Sequence, residues 1–260
     1  MTVWRLLDTG ALPGSLNMAI DRALLSSYES GEAPPTLRFY RWAPPAVSLG
    51  YFQKSHGIDL AFCREQGIDV VCRPTGGRAV LHQNDLTYSV VAGTPDGIPF
   101  SLDAAYRLIC DALLAGFRRL GFEAGRGDEA TKSSQPDICF LRSAVGDLVY
   151  RGRKFVGSAQ TWSRQSLLQH GSIILESQVN TWVSMVLLDQ CRKEKLLREL
   201  ETRTTSMREI LGRAVAHDEV REAIVDGMAR TLKVEFEEGE LSPREWALAE
   251  EMIPLGTHID

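Results

Sequence analysis

Cys139 and Lys154 stand fifteen positions apart, and the run Asp147-Leu148-Val149-Tyr150-Arg151-Gly152-Arg153 between them reads as a tight β-hairpin. The thiolate is the reactive form of cysteine, and a nearby ammonium stabilises that anion and lowers the thiol pKa. Such a pair makes a nucleophile without any histidine. The chemistry it suggests is covalent acyl transfer.

A second constellation lies upstream. Val71-Cys72-Arg73-Pro74-Thr75-Gly76-Gly77-Arg78-Ala79-Val80 reads as a strand running into a Gly-Gly loop. Paired glycines let backbone amides approach a ligand closely, and Arg73 and Arg78 could bring charge to it. The same pattern also makes an ordinary turn. His82, ahead of Gln83-Asn84-Asp85, and His170, within Leu168-Gln169-His170-Gly171-Ser172, are each readable as site residues or as hydrogen-bonded structural histidines. Lys154 is followed by Phe155 and Val156, so it is either a solvated strand lysine or a partly buried one able to shuttle a proton. No two histidines stand at metal-ligand spacing, and no metal site is expected.

These residues need a scaffold. Strands are expected over residues 3–8, 37–42, 47–52, 69–73, 86–92, 147–150, 154–159 and 167–175, with Ser15 capping a first helix and Asp59 starting a short one. The clearest helix spans residues 101–120, where Leu102, Ala105, Leu108, Ile109, Ala112, Leu113 and Phe117 form one apolar stripe. Residues 125–137 are polar and glycine-containing, and read as a surface loop just before Cys139. Beyond residue 180 helical patterns dominate, over 182–199, 218–232 and 243–252, with a short strand at 233–237. Ser242-Pro243-Arg244-Glu245 is a capping box with proline at the first helical position. The expected fold is α+β, a mixed sheet packed by helices. Residues 1–180 would form the core and residues 181–260 a helical extension packed on it, in one continuous domain.

Composition narrows the class. At 260 residues, 44% hydrophobic and 24% charged, the chain is ordinary for a globular protein. It has no apolar run long enough to span a bilayer and no signal-peptide pattern at Met1-Thr2-Val3-Trp4-Arg5, so membrane association is not expected and the cytoplasm is. A net charge of −5 argues against a nucleic-acid partner, while leaving room for a local basic site. Five cysteines, odd in number and widely spaced, make neither a disulfide framework nor a zinc pattern. Cys63, Cys72, Cys110 and Cys191 read as small core residues.

Seven segments taken together are more specific than any one. In order they are Leu16-Asn17-Met18-Ala19-Ile20-Asp21, Arg38-Phe39-Tyr40, Leu49-Gly50-Tyr51-Phe52-Gln53, Arg73 through His82, Leu86-Thr87-Tyr88-Ser89-Val90, Gly152 through Gln160, and Gln169-His170-Gly171-Ser172. This series resembles the lipoate–protein ligase/octanoyltransferase superfamily, related in fold to biotin–protein ligase, over about residues 3–175 and more loosely into the tail. Within it the chain is most similar to the LipM type of octanoyltransferase. The loop reads Gly76-Gly77-Arg78 rather than Gly-Gly-Gly, the segment from His82 to Ser89 lacks a Gly-Asn dipeptide, and Cys139 occupies the position of an acyl-carrying cysteine.

The resemblance implies a biotin/lipoate ligase-like catalytic core and transfer of octanoyl from acyl carrier protein to a lysine of a lipoyl-domain protein, with the glycine cleavage H protein as acceptor. Cys139 would carry the acyl group as a thioester and Lys154 would assist. Arg73, Gly76, Gly77, Arg78, Ala79, Val80 and His82 would line the reacting end of an acyl groove, with Gly157, Ser158 and Ala159 as the opposite wall. Backbone amides near Gly77 or His82 are candidates to hold the oxyanion. Arg78, Arg151 and Arg153 would form a basic rim for acidic partner proteins. Thioester to amide is downhill, so neither ATP nor another cofactor is needed. Three rivals remain open: an ATP-dependent lipoate ligase, a lipoyl amidotransferase, and a non-catalytic acyl-binding protein on the same fold.

Overall fold

A computed structural model describes residues 2–55, 57–127 and 147–256. Cys139 and most of the expected loop at 125–137 lie outside the described residues.

The chain begins with β1 (Thr2–Leu12), α1 (Gly14–Glu29), β2 (Thr36–Trp42), β3 (Ala46–Leu49), α2 (Leu60–Glu65), β4 (Asp69–Cys72), β5 (Val80–His82) and β6 (Asp85–Gly93). It continues through α3 (Leu102–Arg119), β7 (Gly125–Arg126), β8 (Leu148–Tyr150), β9 (Arg153–Ser163) and β10 (Ser166–Ile174). The last part holds α4 (Val179–Ser184), α5 (Gln190–Arg203), α6 (Met207–Leu211), α7 (His217–Leu232), β11 (Val234–Glu238) and α8 (Pro243–Met252).

Among the described residues, eight strands form one mixed sheet in the order β11-β1-β2-β6-β10-β9-β8-β7, and three form a small sheet in the order β4-β3-β5. β1 runs parallel to both β11 and β2, and the pairings from β2 onward are antiparallel. The large sheet therefore takes its edge strand from the C-terminal segment.

Alternation along the strands sends Phe39, Tyr88, Val156 and Ile173 to one face, where they pack with Ile109, Leu113 and Phe117 of α3 and Ile224 and Met228 of α7. Helices α3 and α7 cross closely because both carry glycine at the contact: a Cβ on Gly227 would stand 2.4 Å from the Ala112 carbonyl oxygen, and one on Gly116 2.6 Å from that of Ala223. The opposite face carries α1, whose Ala19, Ile20, Ala23 and Leu24 meet Leu7, Val91 and Leu168. The small sheet, with α2, α4 and α5, has its own core around Val47, Leu49, Cys63, Leu81, Trp182 and Leu196.

Asp59 opens α2 and the Ser242–Glu245 capping box of α8 forms in full, as expected, and Ser101 caps α3. The cap expected at Ser15 does not form, because α1 already starts at Gly14, after Pro13, and puts Ser15 inside its first turn. The expected helix over 182–199 is instead two. The chain extends at Val186, which bridges to Ile58, the Leu187 amide bonds to the Gly57 carbonyl, and Asp189 caps the new helix α5. An apolar period continuing through Val186-Leu187-Leu188 concealed this break. The short elements β5 and α6 carried too few residues to show a period. Cys63 and Cys110 are core residues, but Cys72 is half-buried and Cys191 exposed on α5, which corrects the uniform reading of the cysteines. No described helix is long and apolar enough to cross a membrane.

Candidate active site

Between the α1 face of the large sheet and the small sheet lies a cavity of about 110 Å³. Its floor is a row of paired residues crossing four strands: Tyr40 on β2 opposite Thr87 on β6, Thr87 opposite Ser172 on β10, and Ser172 opposite Gly157 on β9. Arg73, Gly77, Val80 and His82 form the wall that faces them. Asp147 closes the β8 side, and Met18, Tyr40 and Trp42 the β2 side.

The walls stay suited to an apolar guest because their polar atoms are turned into each other. Asp85 Oδ2 accepts from Ser172 Oγ at 2.6 Å, Thr87 Oγ1 at 3.0 Å and His82 Nδ1 at 2.9 Å. A carboxylate only accepts, so Nδ1 carries a proton, and Nε2 lies 2.9 Å from the Ser48 hydroxyl. The indole of Trp42 stacks on His82, centroids 3.9 Å apart, and donates its N–H to Thr87 Oγ1 at 2.8 Å.

A second buried network ties the glycine loop to α1. His170 donates from Nδ1 to Asp21 at 2.9 Å, and its Nε2 accepts from the Thr75 hydroxyl at 2.7 Å. Asp21 also receives Arg38 at 2.7 Å, Tyr40 at 2.9 Å and Ser89 at 2.9 Å. Burial opposes ionisation of Asp21, yet the His170 hydrogen bond and the Arg38 charge outweigh it and bring the carboxyl down to about 2. Burial also lowers the His170 pKa below its ordinary 6.5, keeping the ring neutral.

Arg73 braces the Gly-Gly loop rather than presenting a free charge. Its guanidinium donates to the carbonyls of Gly76 at 2.8 Å, Arg78 at 2.7 Å and Ser48 at 2.7 Å. Gly77 has φ +95°, and a Cβ there would meet Arg73 Nη2 at 2.8 Å, so both the backbone conformation and the clamp need glycine. Gly50 is tighter still, with a hypothetical Cβ only 2.0 Å from the Gly77 carbonyl oxygen.

Lys154 is 1% exposed at the start of β9, just after a two-residue turn in which Arg151 and Gly152 both have positive φ. Its Nζ lies 2.8 Å from Asp147 Oδ2. Through Asp147 the ion pair reaches the cavity.

Of the residues expected from sequence, the cavity gathers Arg73, Gly77, Val80, His82, Gly157, Ser158 and Ala159. Gly76 sits in the loop beside it, Arg78 contributes its carbonyl to the Arg73 clamp, and Ala79 turns instead into the small-sheet core. Of the three rim arginines, Arg153 pairs with Glu209 at 3.1 Å, and Arg151 lies over the Tyr150 ring. Sequence reasoning missed Ser48, Asp85, Trp42 and Asp147 as site residues. Two of them had a usable signal: Asp147, an acid seven residues before the lysine across a hairpin turn, and Asp85, three residues after His82. Among the described residues no cluster of His, Cys, Asp or Glu could hold a metal ion. A second cavity of about 310 Å³, lined by Arg153, Gln178, Asn180, Thr204 and Glu209 among others, is more polar and suits an alkyl chain poorly.

A cavity able to take an acyl chain, beside a buried lysine, sits on a fold shared with known proteins. Residues 13–229 match the model of the lipoyl protein ligase A/B catalytic domain. The chain belongs to that family. It is 39% identical to an octanoyltransferase LipM of Kyrpidia tusciae, over 97% of this chain and 96% of the relative, and 42% identical to one of Symbiobacterium thermophilum, over 97% and 94%. Among solved structures it is similar to the bipartite lipoate protein ligase of Thermoplasma acidophilum, with a TM-score of 0.83 and 26% identity over 98% of this chain and 93% of that one.

Proposed function

We propose that this family member is an octanoyltransferase of lipoate biosynthesis, moving octanoyl from acyl carrier protein through a thioester on Cys139 to a lysine of a lipoyl-domain protein. The octanoyltransferase reading is supported by relatives of that activity at 37–42% identity over nearly the whole chain. The observation that carries the site is the buried Lys154–Asp147 pair at one end of an apolar cavity.

The steps balance without ATP. The Cys139 thiolate attacks the carbonyl carbon of the donor thioester, the carbon–sulfur bond to the carrier breaks, and the carrier leaves as a thiol after taking up a proton. The neutral amine of the acceptor lysine then attacks the acyl-enzyme, a C–N bond forms, and Cys139 leaves. The amine proton passes to the Cys139 sulfur or to solvent. Lys154 supplies a positive charge that favours thiolate over thiol, and Asp147 keeps that charge in place away from water. Burying the methylenes of the chain, at about 0.8 kcal/mol each, holds the acyl group in the cavity.

The acceptor is a lipoyl domain, and the glycine cleavage H protein is the one proposed. The archaeal ligase that resembles this chain is described together with its E2 lipoyl domain, which supports an acceptor of that class. The reading places the reaction in the cytoplasm with no cofactor. The test supplies octanoyl–acyl carrier protein and H protein without ATP. Octanoylated H protein is expected; modification only when ATP and free octanoate or lipoate are added would assign a ligase instead.

A further inference from the structure

We propose that Met18 is the stop that sets the length of acyl chain this enzyme accepts, an inference that rests on the acyl-transfer reading of the cavity.

The cavity crosses the strands from β9 to β2 and also extends two residues along β9 and β10, to Ala159 and His170. Its floor passes from Gly157 on β9 through Ser172 and Thr87 to Tyr40 on β2. Three strand spacings of about 4.8 Å make that row roughly 14 Å long. The charged end is at Asp147 and Lys154, so a chain whose carbonyl reacts there points its methyl end toward β2 and α1.

At that end three lining side chains, Met18, Tyr40 and Trp42, pack together with Val71 behind them. Two are fixed. Tyr40 is held by its hydroxyl on Asp21 at 2.9 Å and by the Arg38 guanidinium 3.9 Å over its ring. Trp42 is held by its N–H on Thr87 and its stack on His82. Met18 has no polar tie. It is an unbranched thioether, 1% exposed, whose position is set by packing alone. It is therefore the residue whose size can be changed without breaking a hydrogen-bond network, and the one whose volume decides where the terminal methyl stops.

The test measures kcat/KM for hexanoyl-, octanoyl-, decanoyl- and dodecanoyl–acyl carrier protein with the full chain and with two variants. Met18→Ala should raise the decanoyl-to-octanoyl ratio roughly tenfold, about the worth of two further buried methylenes. Met18→Phe should raise the hexanoyl-to-octanoyl ratio instead. Each readout is a ratio within one preparation, so partial loss of folded protein does not imitate it. A ratio within twofold of the parent in either variant that still transfers octanoyl overturns the proposal. A parent enzyme that transfers none of the four chains overturns the acyl-transfer reading itself, and this inference with it. If Met18→Ala does not fold, Met18→Phe decides the matter alone, and if neither variant transfers any chain while the parent does, Met18 is a core residue and the stop lies elsewhere.

Discussion

Lys154 Nζ stands 2.8 Å from Asp147 Oδ2, and the two side chains are 1% and 2% exposed. An ammonium so far out of water depends on its carboxylate, because the attraction between them offsets the cost of desolvating both. Loss of Lys154 thus has two consequences, one for chemistry and one for stability, and they need to be separated.

Lys154→Met removes the ammonium that offsets Asp147, and is expected to cost about 3–5 kcal/mol of stability. Lys154→Met with Asp147→Leu should recover most of that in urea unfolding, since no lone charge is left buried. The double variant should still form acyl-enzyme at least 100-fold more slowly than the parent near neutral pH. Recovery of both stability and rate would show that the pair is structural only.

The Asp21 carboxyl ionises at about 2 rather than 3.8. A group whose folded pKa is depressed contributes stability above its unfolded pKa and loses it as pH falls through the folded one, so about 2 kcal/mol should disappear between roughly pH 5 and pH 2. His170 acts in the same direction at higher pH: its folded pKa lies below 6.5, so below that pH the unfolded chain takes up a proton that the folded one does not. Stability should therefore fall as pH drops from about 7, and fall again below about 5. Asp21→Asn should flatten the lower limb; denaturant unfolding as a function of pH reads both.

Gly50 and Gly76 offer a matched contrast. A methyl on Gly50 lands on the Gly77 carbonyl oxygen, whereas one on Gly76 meets nothing within 4 Å. Gly50→Ala is expected to cost roughly 1–3 kcal/mol and to reduce acyl transfer by displacing the loop that walls the cavity. Gly76→Ala should leave thermal stability within about 0.5 kcal/mol of the parent.

Arg73→Lys keeps the charge but cannot span the carbonyls of Ser48, Gly76 and Arg78 as the fork does. Losing one or two charge-assisted hydrogen bonds at about 1.5–3 kcal/mol each should lower kcat/KM by at least tenfold while the pH profile keeps its shape. An altered pH profile would indicate that Arg73 contributes charge to the reaction rather than bracing the loop.

What was readable in the sequence follows from which signals are local. The helix Leu102–Arg119 and the α8 capping box were legible because period and cap chemistry are written within a few residues. So were the loop from Arg73 to Arg78 and the cluster around Gly157–Ala159, through their glycines and their resemblance to a family. The partners of those residues were not. Asp85 serves His82 from three positions away but Ser172 from 87, and Asp21 meets His170 across 149. Such pairs exist only once the sheet has set its strand order. The break at Val186 was hidden for a related reason, since a bridge to Ile58 and a bond to Gly57, both far away in sequence, end the helix there.

The central claim is that Cys139 carries the acyl group, and intact mass tests it most directly. The purified chain is incubated with octanoyl–acyl carrier protein without ATP and weighed. A gain of one octanoyl group, released by hydroxylamine and absent in Cys139→Ser, is the expected result. No adduct on the parent, or an equal adduct on Cys139→Ser, would contradict the account.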